Sequence, residues 1–224
     1  MGVEVVWFIF IMFSLPSVYA DYQGDALYAF KQKITRDPKG FTSDWNPSLV
    51  DPCTWPHVHC YPDGQVIRID LGGAGISGQL VPQLGRLKYL QYLELYNNKL
   101  TGQIPEEIGY LSNLISLDLY KNSLSGPIPD TLGNLNKLKY LDSRIQSNKL
   151  TGPIPLTMAS LKHLSIVSVG FNPGLCGPFT ARCIDSKDRK KCTNNYSCPC
   201  RCGPTFSKPC DYKNVPLCNA TVCC

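Results

Sequence analysis

A chain of 224 residues with 43% hydrophobic residues, 12 cysteines and a net charge of +5 excludes several classes of protein. The positive charge is modest and lies mainly in residues 184–224, and its densest run, residues 187–191, has no interleaved aromatic side chain, which argues against nucleic-acid binding. Twelve cysteines indicate an oxidising compartment, where disulfides form and persist.

Residues 1–20 have the pattern of a secretory signal peptide. Residues 5–15 are apolar but too few to span a bilayer, and residues 18–20 (Val-Tyr-Ala) place small side chains at the expected cleavage position. The usual basic residues before the apolar stretch are missing, and an uncleaved anchor is the alternative interpretation. We expect a secreted protein in the extracellular space or apoplast, or at the plasma-membrane surface, with no transmembrane span.

Residues 21–63 are predicted to form an N-terminal capping domain. A helix is expected from Asp25 to Lys33, and Trp45 and Trp55 are expected to pack over the unit that follows. Cys53 and Cys60 frame a short loop and are predicted to form a disulfide. The apolar residues at helical spacing are Ala26, Leu27, Phe30 and Ile34.

Residues 64–182 repeat the pattern L-x-x-L-x-L-x-x-N-x-L-x-G-x-I-P every 24 residues. Two copies match the pattern fully, a looser copy lies upstream of them, and two more copies lie downstream. The alternation in L-x-x-L-x-L predicts one short strand per unit, and G-x-I-P interrupts any helix. This is a leucine-rich repeat, and five units exceed the three or so that a solenoid needs. The full copies begin at Leu90 and Leu114.

The segments SGQLVPQLGRL, TGQIPEEIGYL, SGPIPDTLGNL and TGPIPLTMASL resemble the plant-specific form of the repeat. That resemblance implies an extra strand and a short helical turn in each unit. The repeat asparagine is predicted to point inward and bond backbone groups of the turn, and its replacement by Ala74 is expected to loosen the first unit.

One unit is longer than the others. The distance along the chain from Leu138 to Asn148 is two residues longer than that between the matching positions of the other copies, such as Leu90 and Asn98. Ser143 and Arg144 are the expected insertion. An insertion of two preserves the alternation beyond it but demands a bulge, so we predict a distorted strand through residues 141–146.

Cysteines dominate the C-terminal end. Cys176 and Cys183 are predicted to close a C-terminal cap, and residues 183–224 form a basic tail with eight further cysteines. The sequons at Asn195 and Asn219 predict glycosylation. A metal cluster is the alternative to disulfides in the tail, but disulfides are favoured in a secreted chain and no metal is expected. The pairing stays open.

Longer stretches carry a closer resemblance. DYQGDALYAFKQKITRDPKGFTSDWNPSLVDPCTWPHVHC resembles the N-terminal cap of plant leucine-rich repeat receptors. VIRIDLGGAGISGQLVPQLGRLKYLQYLELYNNKLTGQIP and NPGLCGP are similar to the ectodomain of somatic embryogenesis receptor-like kinases and to the small secreted proteins related to them. The resemblance covers residues 21 to about 178 and implies an α/β solenoid with a helical N-terminal cap and a Cys-rich tail. In the family, the concave face binds receptor partners and peptide or steroid hormones.

Outward strand residues fall into columns when 24 is subtracted from each number. One column is acidic and contains Asp70, Glu94, Asp118 and Asp142. Two interpretations of it are open: a solvated ladder screened by Arg68 and nearby lysines, or a binding surface for a basic partner flanked by tyrosine anchors. The columns are Asp70, Glu94, Asp118 and Asp142; Arg68, Tyr92, Ser116 and Tyr140; and Gly72, Tyr96 and Tyr120.

The resemblance places family contact positions at His57, Asp70, Tyr92, Tyr96 and Tyr120. Two positions depart from it, because Pro56 replaces an aromatic residue and Asp142 replaces a basic one; Arg144 is a candidate substitute. These departures favour general protein recognition over hormone-bridged binding. The partner-binding candidates are His57, Asp70, Tyr92, Glu94, Tyr96, Asp118, Tyr120 and Tyr140.

Catalytic and cofactor motifs are missing from the sequence. No serine or cysteine has an evident histidine partner, and the strand carboxylates lie on an open surface that suits binding better than acid–base chemistry. We expect a non-enzymatic, cofactor-free protein that binds receptor ectodomains or other membrane-associated proteins in growth or defence signalling. The alternative is an inhibitor of a microbial cell-wall-degrading enzyme such as polygalacturonase, although such inhibitors carry about twice as many repeats.

Overall fold

The computed structural model of the protein describes residues 22–46, 51–139, 145–161, 172 and 174–176. Within them the chain forms one α-helix, ten short strands and five 3₁₀ turns. The helix and strands are α1 Tyr22–Lys33, β1 Ile34–Arg36, β2 Val58–Cys60, β3 Val66–Asp70, β4 Ser77–Gln79, β5 Tyr92–Glu94, β6 Lys99–Thr101, β7 Ser116–Asp118, β8 Ser125–Gly126, β9 Lys149–Pro153 and β10 Gly174–Cys176. The 3₁₀ turns are Pro52–Thr54, Pro82–Arg86, Glu106–Tyr110, Asp130–Asn134 and Leu156–Ser160.

Within the described residues, the first sheet joins one strand of the cap to one strand from each of three successive repeats. Its order is β2-β3-β5-β7, with β2 antiparallel to β3 and the other pairs parallel. Asp70 lies opposite Glu94, and Glu94 lies opposite Asp118, so residues 24 apart are true neighbours across the sheet. This register confirms the strand predicted from the alternating part of the repeat.

A second sheet runs along another side of the solenoid. Its strands follow the orders β1-β4-β6 and β8-β9-β10, and the amides of Ser123 and Ser125 donate to the Leu100 and Gly102 carbonyls across the coils between them. A 3₁₀ turn follows the second-sheet strand in four of the repeats. The extra strand and helical turn implied by the plant-specific pattern are therefore confirmed.

Helix α1 covers the first repeat with the residues that the spacing predicts. Ala26, Leu27 and Phe30 are completely buried, but Ile34 lies outside the helix, half-buried in β1. The expectation that Ile34 belongs to the helical face is wrong because Ile34 pairs with Gly78 of β4. A Cβ atom at Gly78 would clash with the Lys33 carbonyl oxygen, so only glycine lets the two backbones approach this closely.

The cap is closed by two tryptophans and a disulfide. Trp45 and Trp55 are buried in the same core as Val66 of the first repeat, and their rings stack with centroids 5.8 Å apart. The Trp45 indole Nε1–H donates to the Pro56 carbonyl at 2.9 Å. The predicted disulfide Cys53–Cys60 is present, and it fixes the loop that carries this carbonyl.

Asparagine side chains link successive coils; those of Asn98, Asn148 and Asn172 are buried, and that of Asn122 is half-buried. Asn98 Nδ2–H donates to the carbonyls of Leu95 in its own coil and Leu71 in the preceding coil, and its Oδ1 accepts from the Ile76 amide. Asn122, Asn148 and Asn172 make the corresponding bonds. The predicted inward role is confirmed, and we name these four residues the asparagine ladder.

The ladder also locates the extra residues of the longer unit. The Lys139 amide donates to the Ile115 carbonyl as Ile115 does to Gln91, and Asn148 Nδ2–H donates to Ile145 as Asn98 does to Leu95. Both ends of the unit are thus in register, and the insertion lies between Lys139 and Ile145. The distorted strand is predicted through residues 141–146, of which residues 141–144 lie outside the described residues, so it stays a prediction.

Candidate protein-recognition face

The candidate site is the outward face of β3, β5 and β7 together with the residues that follow each strand. In a leucine-rich repeat solenoid this parallel sheet lines the concave side, and we call the surface the concave face. Strands about 4.8 Å apart place the outward side chains of neighbouring coils in contact range. The described outward residues are Arg68, Asp70, Gly72, Tyr92, Glu94, Tyr96, Ser116, Asp118 and Tyr120.

Arg68 organises the N-terminal end of the concave face. Its guanidinium donates to Asp70 Oδ2 at 3.0 Å, and its Cζ lies 5.2 Å from the centre of the Tyr92 ring. The ion pair is partly solvated, so it contributes at most about 1 kcal/mol to stability. Its main consequence is geometric, since it fixes the positions of three of the outward side chains.

The middle of the face is more enclosed than the column pattern predicts. Glu94 is only 5% exposed and Ser116 only 1% exposed, whereas Asp70 and Asp118 are half-buried. Glu94 lies on β5, between the outward side chains of β3 and β7, so neighbours on both sides shield it. The interpretation of the acidic column as a solvated ladder is therefore wrong for Glu94.

Two tyrosines form the exposed part of the face. Tyr96 is 39% exposed and Tyr120 is 40% exposed, and their backbone carbonyls accept from the Gly73 and Asn97 amides of the preceding coil, both at 2.8 Å. The Tyr96 ring lies against Gly72, where a Cβ atom would overlap the ring carbon Cε1. The Tyr96 ring can occupy this position only because Gly72 has no side chain.

Two further residues belong to this surface and were missed in the sequence. Gln146 takes the fourth place in the tyrosine column, because its carbonyl accepts from the Lys121 amide as the Tyr120 carbonyl does from Asn97. Subtraction of 24 could not find it, because the insertion shifts the numbering by two. Tyr61 of the cap is exposed beside the sheet, and its hydroxyl accepts from Gln91 Nε2–H at 2.6 Å.

His57 connects the cap to the acidic column. Its carbonyl accepts from the Asp70 amide at 3.0 Å, and its ring stacks on Phe41 with centroids 3.9 Å apart. Its φ of +67° is rare for a residue with a side chain and holds the ring in this orientation. His57 and Asp70 are thus adjacent.

Several predicted residues lie outside the described residues. These are residues 1–20, Tyr140, Asp142, Arg144, Cys183, the eight tail cysteines, Asn195 and Asn219; for Cys176 only the backbone is described. Their roles, and the domain division, stay predictions.

Across the part of the chain that the structure describes, no group of three or more His, Cys, Asp or Glu side chains could hold a metal ion. No helix in the same residues is long and apolar enough to cross a membrane.

Two family descriptions match the chain. Residues 20–61 match the leucine rich repeat N-terminal domain, and residues 89–111 and 113–135 match the Leucine Rich Repeat. These segments are the cap and the two repeats that contribute β5 and β7 to the concave face.

Relatives and solved structures agree with the match. Leucine-rich repeat protein 1 of Arabidopsis thaliana is 53% identical over 79 residues, which are 35% of this chain and 36% of that protein. LRR receptor kinase SERK2 of Oryza sativa subsp. japonica is 47% identical over 89 residues, 39% of this chain and 14% of the kinase. The matches thus span about a third or less of these curated relatives.

A chain in the crystal structure of the BIR3–SERK2 complex from Arabidopsis thaliana superimposes with a TM-score of 0.60 and 31% identity, over 68% of this chain and 82% of that one. The leucine-rich repeat ectodomain is generally a non-enzymatic, protein-interaction fold. By its cap, its repeats and these relatives, the chain belongs to the plant leucine-rich repeat family.

Proposed function

We propose that this protein is secreted and binds receptor ectodomains or other membrane-associated proteins through its concave face, in growth or defence signalling. The observation that carries the proposal is the register of β3, β5 and β7, which places tyrosines and carboxylates of three coils side by side. Tyr96 and Tyr120 supply the exposed aromatic area, and the acids set the charge preference.

The chemistry of the face suits a protein partner. Tyrosine offers a large contact area and one hydroxyl at low entropic cost, and aromatic anchors dominate the energy of many interfaces. Asp70, Glu94 and Asp118 outnumber Arg68 on the described face, so a partner surface with lysine or arginine side chains is favoured. The BIR3–SERK2 complex is an assembly of relatives, which supports an ectodomain as the partner.

A catalytic role has no support from this geometry. The carboxylates of β3, β5 and β7 lie along an open sheet, whereas acid–base catalysis needs groups that converge on one bound substrate.

The test measures the capture of a panel of plant receptor-kinase ectodomains by the full chain. The double substitution Tyr96→Ala/Tyr120→Ala is expected to weaken capture by roughly tens-fold, because it removes both aromatic anchors. Tyr89→Ala/Tyr110→Ala is the matched control, since both tyrosines are exposed but lie outside the columns. Equal capture by the two double variants would remove the concave face from consideration.

The inhibitor alternative is separated by a second assay. Inhibition of a microbial polygalacturonase by the full chain, with no ectodomain captured, would replace the proposed function. The loss of inhibition in the Tyr96→Ala/Tyr120→Ala variant would then decide whether the same face is used.

A further inference from the structure

The second sheet presents a polar, basic surface that the proposed function does not use. In each coil two outward residues flank one buried residue, as Lys99 and Thr101 flank Leu100 and as Lys149 and Thr151 flank Leu150. Alternation along a strand puts both outward residues on the same face. We call this surface the hydroxyl strip, and its members are Ser77, Gln79, Lys99, Thr101, Ser123, Ser125, Lys149 and Thr151.

The strip is continuous from coil to coil. Ser77 pairs with Lys99, Gln79 pairs with Thr101, and Ser125 pairs with Lys149. Neighbouring coils lie about 4.8 Å apart, so four coils give a regular array of polar groups. An extended ligand with a short chemical repeat could contact successive coils in equivalent ways.

An open groove lies at the N-terminal end of the strip. It has a volume of about 560 Å³ and forms where the end of α1 and β1 pack beside β4 and β6. Its lining includes two lysines and five uncharged polar side chains but no carboxylate. The lining residues are Gln32, Lys33, Thr35, Ser77, Gly78, Gln79, Lys99 and Thr101.

The hydroxyl groups of the strip retain acceptor capacity. Thr101 Oγ1–H donates to the Gly78 carbonyl at 3.2 Å, and Ser125 Oγ–H donates to the Gly102 carbonyl at 3.4 Å. Each oxygen therefore still has lone pairs that can accept a hydrogen bond from a ligand hydroxyl. The lysine ammonium groups donate to anionic oxygens, and the Gln79 amide can do both.

The same surface fits two other anionic partners poorly. The large apolar side chains exposed in the described residues all lie outside the strip, so it has nothing to insert between lipid chains. It also has no aromatic ring on which nucleic-acid bases could stack.

We propose that the hydroxyl strip and the groove at its N-terminal end bind an acidic oligosaccharide, with uronate carboxylates at the lysines, Lys33 included, and sugar hydroxyls at the serine, threonine and glutamine side chains. Exposed charge pairs are individually weak and are screened by salt, so the affinity comes from repeated contacts along the strip and falls as ionic strength rises. The site is on a different sheet from the concave face, so its occupation does not depend on the proposed function.

The test titrates a de-esterified galacturonate oligomer and its fully methyl-esterified counterpart into the full chain by calorimetry. We expect binding of the charged oligomer only. Lys33→Gln/Lys99→Gln is expected to weaken it about tenfold or more, and the affinity is expected to decrease with added salt. Lys88→Gln/Lys137→Gln removes the same charge from positions outside the strip and is expected to change affinity less than about twofold.

A separate variant tests whether the hydroxyl groups of the strip contribute to binding. Thr101→Val keeps the side-chain shape and removes the hydroxyl, and it is expected to weaken binding several-fold. The loss of its bond to the Gly78 carbonyl is expected to lower stability by about 1 kcal/mol or less, because Thr101 is exposed. Three results would each overturn the proposal. The two double lysine variants could lose affinity equally, the esterified oligomer could bind as tightly as the charged one, or a polyphosphate of matched charge could bind as tightly as the charged oligomer. Circular dichroism of every variant establishes that it is folded.

Discussion

Removal of one rung of the asparagine ladder gives the sharpest test of how this solenoid is held together. Asn98 is buried and makes hydrogen bonds of 2.8 Å to the Leu71 carbonyl, 2.9 Å to the Leu95 carbonyl and 3.0 Å from the Ile76 amide. In Asn98→Ala the Ile76 amide loses its partner without gaining water. The Leu71 carbonyl still accepts from the Ala74 amide, and the Leu95 carbonyl still accepts from Asn122 Nδ2–H, so each carbonyl loses one of two bonds. A buried group left unsatisfied costs about 1–3 kcal/mol.

Each of the two lost carbonyl bonds adds about 0.5–1.5 kcal/mol. We therefore expect Asn98→Ala to lower the free energy of unfolding by about 2–4 kcal/mol, toward the lower end of the simple sum because the coil relaxes. For a chain of this size that corresponds to a fall in Tm of roughly 4–16 °C. The matched control is Asn113→Ala, since Asn113 is a more exposed asparagine that donates to the Lys88 carbonyl at 2.8 Å. A substitution there is expected to cost less than about 1 kcal/mol.

Hydrogen exchange supplies a local readout that a general loss of stability would not imitate. In Asn98→Ala the Ile76 amide is expected to lose protection, whereas the Leu100 amide keeps its bond to Asn122 Oδ1 and retains most of its protection. Equal stability of the two alanine variants, or unchanged protection of Ile76, would refute the reasoning.

Two further outcomes follow from the structure. Gly72→Ala is expected to displace the Tyr96 ring and weaken ectodomain capture several-fold with little change in Tm; wild-type capture would contradict this role. Burial raises the pKa of Asp37, but hydrogen bonds from Thr42 and its neighbours outweigh burial and hold the pKa below its ordinary value. The stability that Asp37 contributes is therefore complete above its unfolded pKa of about 3.9 and is lost as the pH falls through the lower folded value. Urea unfolding should show a larger deficit for Asp37→Asn at about pH 6 than at about pH 2, and equal deficits would disprove the linkage.

The solenoid could be predicted from the sequence because its determinants recur. The leucines that fill the core and the asparagines that bond the turns return at fixed intervals, so the interval itself predicts that residues 24 apart are neighbours. The placement of Asp70 beside Glu94, and of Glu94 beside Asp118, followed from the same interval.

What could not be predicted depends on contacts between segments that do not repeat. Ile34 has helical spacing, but its conformation is decided by Gly78, more than 40 residues away. The burial of Glu94 depends on side chains from both neighbouring coils, which a column of residue names does not reveal. Gln146 was missed because a local insertion breaks the interval on which the subtraction relied.

The asparagine ladder has a consequence for how such chains can diverge. Each asparagine of the ladder makes its hydrogen bonds when its side-chain amide lies at the same position relative to the preceding coil. The number of residues between successive asparagines does not matter. The partner of Asn148 Oδ1 is 24 residues away, whereas the partner of Asn98 Oδ1 is 22 residues away, and both bonds are 3.0 Å long. Residues gained or lost between rungs alter the outward surface while the scaffold persists, so new binding specificities can arise without a new fold.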